Sequence, residues 1–176
     1  MISCEWKRTS VRKVIGAAAL VAVMGLHASA AQAAPQCKTV TGKALWTLIP
    51  SPNDPFGRIL GPSDGSLKAS ITAIVTSLVP NNDGSLHATS NEIWVFGAQD
   101  VLQFAGVATF TPIADQPIGT VQDSLTLTVI GGSGKYAAAT GTLNVRGTGY
   151  NLFGPGAGPG SSYFDVRYEG LICTAE

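Results

Sequence analysis

From Lys38 onward the apolar residues of this chain recur at every second position, and no stretch sustains an apolar stripe at helical spacing. Successive side chains of a strand point to opposite faces, so this pattern describes sheet with one apolar and one polar face. Strands are expected at about 38–49, 68–79, 85–97, 101–111, 118–130, 135–149 and 162–174. Between them lie PSPNDPFG, VPNNDGSL, PIADQP, IGGSGK and GPGAGPGSS, all rich in residues that turns demand. Such a sheet must cover its apolar face and protect its edges, and closure does both. Short turns between successive strands favour a meander over a sandwich. The expected fold is all-β, a single antiparallel up-and-down β-barrel of seven or eight strands. The recurrence of DGSL at 64–67 and 83–86 reads as repeated turn chemistry, since two copies fall short of a solenoid.

The first residues follow another logic. Lys7, Arg8, Arg12 and Lys13 precede the uncharged run VIGAAALVAVMGL at 14–26, which leads into the small residues HASAAQAAP. Thirteen residues are too few to cross a hydrocarbon core of about 30 Å as a helix. A basic segment, a short apolar segment and small residues together describe a secretory signal peptide, with the cut expected after Ala33. Residues 1–33 are thus assigned to the signal and 34–176 to the barrel domain. Of 11 basic and 11 acidic residues, four basic ones and Glu5 fall before the cut, leaving a net charge near −3. That balance leads us to expect no basic face for nucleic acid or anionic lipid. Cys4 also leaves, so only Cys37 and Cys173 remain. An even pair in an oxidising compartment implies a disulfide stapling first strand to last. The location expected is extracellular or periplasmic, with no membrane association after cleavage.

Alternation assigns the inward face. It takes Trp46 and Leu48, then Ile71, Ala73 and Val75, then Leu86, Ala88, Trp94 and Phe96. Later strands add Phe104, Ala108 and Phe110; Leu125, Leu127 and Val129; Leu143 and Val145; and Phe164, Val166, Tyr168 and Ile172. Lys43, Gln103, Asn144, Arg146, Asp165, Arg167 and Glu169 face outward, where alternating charges on a solvated sheet contribute under about 1 kcal/mol each. Glu92 is the exception, a carboxylate in phase with Trp94 and Ala88. Burial there would raise its pKa and suit it to acid or base work, unless a bulge near Ser90 and Asn91 turns it to solvent or it pairs with a cation at the rim. The lining Trp46, Trp94, Phe104 and Tyr168 would suit a small apolar ligand. Tyr168 is equally readable as a core tyrosine whose hydroxyl reaches backbone.

The stretch GGSGKYAAATG at 131–141 looks like neither an amphipathic helix nor a catalytic elbow. It reads as a turn shaped by positive φ at Gly131, Gly132 and Gly134, feeding a strand whose inward Ala137, Ala139 and Gly141 are small. The stretch resembles the Gly-Gly-x-Gly segment of the allene oxide cyclase-like and dirigent-like barrels, with Tyr136 at the aromatic position and Ala139 and Gly141 following. That resemblance implies an eight-stranded barrel with an apolar cavity. The family spans cyclases, proteins that orient radical coupling and secreted proteins of unknown role, so it carries over no catalytic residue.

No phosphate loop, nucleotide fingerprint, metal motif or nucleophile elbow occurs, and His87 lacks an inward acidic or serine partner in phase. No cofactor or metal is expected. Three functions fit: binding a small apolar ligand in the barrel, which ranks first; a cyclase or isomerase that shapes a reactive substrate; and a filled barrel serving as a structural or interaction module.

Overall fold

A computed structural model describes residues 34–51, 53–153, 157 and 161–175. The expected signal segment, and most of the expected loop at 154–162, lie outside these residues. Eight antiparallel strands close in chain order: β1 (Gln36–Ser51), β2 (Asp54–Gly65), β3 (Ser70–Pro80), β4 (Leu86–Val95), β5 (Val101–Pro112), β6 (Val121–Ser133), β7 (Thr140–Tyr150) and β8 (Tyr163–Thr174). One short 3₁₀ turn, Gly134–Tyr136, joins β6 to β7. Closure is made by β1 against β8, in a ladder from Gln36 opposite Thr174 to Thr47 opposite Tyr163. Cys37 and Cys173 are direct partners in that ladder and form the expected disulfide. No helix among the described residues is long and apolar enough to cross a membrane.

The eighth strand is β2, whose sequence DPFGRILGPSDG falls between the expected strands, partly in a turn and partly in unassigned chain. Its glycines and prolines argue against a strand when read alone. Position explains them. A Cβ on Gly61 would overlap the carbonyl oxygen of Leu45, so glycine lets β1 and β2 approach closely. Ile59 and Ser63 still alternate inward along it.

The glycine-rich connection also differs from expectation. β6 continues through Ser133, and of Gly131, Gly132 and Gly134 only Gly134 has positive φ, at 60°. A Cβ on Gly132 would instead overlap the carbonyl oxygens of Tyr136 and Val101. Ala137 is exposed because the chain is still turning there, whereas Tyr136 and Ala139 are buried. The stretch thus folds a turn back over the barrel's end, with Lys135 bridging to Asp100 at 3.1 Å.

Inside, large side chains meet across the barrel axis. Trp94 packs on Phe104 at 5.4 Å and edge-on to Tyr168 at 5.5 Å between ring centres. Tyr168 occupies the space left by Gly42, its ladder partner. Its hydroxyl donates to the Asp64 carbonyl at 2.7 Å and accepts from the Leu67 N–H at 2.9 Å. The aromatic ring therefore ties β8 to the β2–β3 connection. Gly42→Val would drive a methyl into both that hydroxyl and the Asp64 carbonyl. We expect a loss of about 3 kcal/mol, the upper range for overpacking. Chemical denaturation measures it, and an unchanged midpoint would refute this role for Gly42.

Candidate functional site

The buried carboxyls inside the barrel come from two strands. β4 turns Ala88, Ser90, Glu92 and Trp94 inward, because the local bulge lies in β3 between Val75 and Ser77 and leaves the phase of β4 intact. Glu92 is 3% exposed. Its Oε2 accepts from Trp94 Nε1 at 3.0 Å, and Ser90 Oγ donates weakly to Oε1 at 3.4 Å. Ser90 reaches inward because its ladder partner is Gly106, where a Cβ would overlap the serine hydroxyl. Burial outweighs these donors and raises the Glu92 carboxyl to about 7.

β6 supplies a second carboxyl, one not expected from the sequence. Asp123 is in phase with Val121, Leu125 and Leu127 and is 2% exposed, between its ladder partners Phe110 and Gly147. Desolvation raises it to about 7, and the charge of Glu92 adds to the rise. Its Oδ1 has no hydrogen-bond partner among the described residues, and the same is true of Trp46 Nε1. The signal was available: alternation runs unbroken two residues back from Leu125. Because the two carboxyls repel through a medium of low dielectric, they titrate as a pair and carry fewer than two full charges at neutral pH.

Trp46, Trp94, Phe104 and Tyr168 all point inward as expected, and each is buried. Trp94 and Phe104 are wholly inaccessible, so no water-sized space opens beside them. The four belong to two groups. Trp94, Phe104 and Tyr168 surround the Glu92 half of the interior, whereas Trp46 packs against Phe164, which packs against Phe110 beside Asp123.

Above Trp46 the barrel opens. A pocket of about 390 Å³ is bounded by Leu48 of β1, Phe56 and Gly57 of β2, Leu78 of β3, and Leu152 and Phe153 beyond β7. Leu48 N–H donates to the Ser162 carbonyl at 3.0 Å, binding the far side of the mouth to β1. Asp54 stands at the lip, paired with Arg58 at 3.0 Å. The mouth is therefore apolar with one ionic edge, and the buried Trp46 and Phe164, one inward position beyond Leu48 and Ser162, lie outside its lining. Of its walls alternation assigns only Leu48 inward: this end of β2 reads as turn, the bulge between Val75 and Ser77 puts Leu78 out of phase with Ile71, Ala73 and Val75, and Leu152 and Phe153 fall outside any expected strand.

Among the described residues no group of three His, Cys, Asp or Glu side chains could hold a metal ion. Comparison with protein-family models, characterised proteins and solved structures finds no match. What the protein does must accordingly be read from the geometry of the barrel itself.

Proposed function

We propose that this protein binds a small apolar molecule in the mouth of its barrel, outside the cytoplasm. The observation that carries this reading is the apolar pocket walled by Leu48, Phe56, Leu78, Leu152 and Phe153. Its size and largely apolar lining match ligand pockets in general. The Cys37–Cys173 bond supports an oxidising compartment. The closed eight-stranded barrel and the buried Tyr136 are in keeping with the allene oxide cyclase-like and dirigent-like resemblance, which we retain as part of the proposal.

A neutral apolar dye such as Nile red tests the site without invoking charge. It should bind, brighten and change the emission of Trp46, the indole nearest the mouth. Phe56→Asp places a charge on the pocket wall at a side chain already 38% exposed, so the fold should survive. We expect affinity to drop tenfold or more. Equal binding by the variant would place the ligand elsewhere, and no binding by the native protein would sink the reading.

One observation favours a second reading as cyclase or isomerase. Glu92 and Asp123 are held near the pKa that a general acid or base needs at neutral pH. Under this reading Glu92→Gln would cut turnover about a hundredfold while ligand still bound; under simple binding it would leave affinity for apolar ligands unchanged or raised.

A further inference from the structure

The outer face of the barrel gathers charge that the overall balance conceals. Strand pairing puts Arg146 of β7 opposite Arg167 of β8, and Arg167 opposite Lys43 of β1. Three cations thus stand side by side in one row across three strands. Strands lie about 4.8 Å apart, so the row is roughly 10 Å long. Like charges directly opposite destabilise a sheet. Here the cost is not offset by pairing, since the ion pairs among the described residues are Arg58–Asp54, Lys68–Asp64 and Lys135–Asp100. Asp64 ends the row opposite Lys43 but sits against Lys68. Asp165 lines the same groove as the row, one carboxylate against three cations there, and Glu169 lies two residues beyond Arg167 on the same face. The local excess is positive.

The row forms one wall of a shallow groove of about 400 Å³. Gln122 and Thr148 add amide and hydroxyl groups, and Gln122 Nε2 donates to the Gly147 carbonyl. Tyr150 closes one end, held flat by stacking on Tyr163 at 4.8 Å and 23°. Cations in a row, hydrogen-bonding side chains and a fixed aromatic face are three different recognition elements on one surface. The planar guanidinium of arginine can donate two parallel hydrogen bonds to a pair of oxygens on a carboxylate or a sulfate, and a braced tyrosine offers a flat platform for a ring.

We propose that this groove binds an acidic oligosaccharide, with a uronate carboxylate or sulfate over Arg146, Arg167 and Lys43 and a sugar ring on Tyr150. A polyanion such as nucleic acid suits it less, because the row is short and the chain as a whole carries net negative charge after the expected cut. The site lies outside the mouth and does not depend on it.

The probes are a sulfated tetrasaccharide, an oligogalacturonate and neutral cellotetraose, titrated into the disulfide-intact protein and followed by amide shifts and calorimetry at low salt. At least one acidic sugar should bind with shifts confined to β1, β7 and β8, and weaken as salt rises. Arg146→Gln with Arg167→Gln should weaken it tenfold or more. The same double variant should melt no lower than native protein, because it relieves repulsion, so loss of binding cannot be ascribed to unfolding. Tyr150→Ala should weaken the sugar while leaving inorganic sulfate unchanged. Equal binding of cellotetraose, equal affinity for sulfate alone, preference for a short DNA strand, or retention of binding by the double arginine variant would each overturn the proposal.

Discussion

Raising the pH from 5 to 8 should destabilise this barrel, and replacing Asp123 and Glu92 by their amides should remove most of that slope. Both carboxyls bind protons more tightly in the fold than in the open chain, moving from 3.8 and 4.5 to about 7. Between about pH 4 and 7 the folded state therefore holds more protons than the unfolded one. Stability from these groups is full below their unfolded values and is lost as pH rises through about 7. A tenfold tighter hold on one proton is worth about 1.4 kcal/mol, so the pair together changes stability by several kcal/mol across the window. The exposed Asp64 and Asp83 and the half-buried Asp100 are shifted downward by hydrogen bonds, chiefly from Gly65, Ser85 and Lys135 respectively, and act in the opposite sense only below about pH 4. Denaturant midpoints at pH 5, 6, 7 and 8 measure the effect. A flat native profile, or an equal slope in Asp123→Asn/Glu92→Gln, would show that the carboxyls are not held in this way.

The second large effect is covalent. Cys37 and Cys173 are 136 residues apart, and their bond fixes the ladder that closes the barrel. In the chain-entropy model, cross-linking so long a loop stabilises by about 4–5 kcal/mol. For a domain whose total stability lies in the usual range of about 5–15 kcal/mol, that is a large share. Cys37→Ser/Cys173→Ser should shift the denaturant midpoint accordingly, and reduction of the native protein should match it. Intact mass after denaturing alkylation supplies the chemical control: native protein should take up no label until reduced. Two alkylated cysteines without reductant, or a double serine variant as stable as the native chain, would refute the claim.

Much of this architecture was legible because alternation is a local property. Glu92 could be placed inside from the phase of Ala88 and Trp94 alone, and the end-to-end cysteines pointed to closure. β2 was not legible, because Gly61 is explained only by the backbone of Leu45 lying against it, a contact between separate strands. Asp123 was a different kind of miss. Its phase was visible, but an aspartate flanked by Gln122 and Ser124 looks like the polar entry to a strand until its neighbours across the ladder, Phe110 and Gly147, are known. The mouth pocket and the cation row lie further from the sequence. Lys43, Arg146 and Arg167 could each be assigned outward, yet only the register of three strands sets them in a line. For the pocket, the ends of β1, β2 and β3 and the start of the β7–β8 connection must first be brought around one opening.

Closure of β1 on β8 also governs how the chain is made. During synthesis the first strand emerges with β2 following it, but its other neighbour is the last strand of the domain. Contacts of such long sequence separation form slowly, and an unpaired strand invites association with other chains. One side of β1 therefore stays open until β8, the last strand of the barrel, has been made. Lys38 and Lys43, spaced along that waiting strand, place charge where a second nascent copy would otherwise add itself.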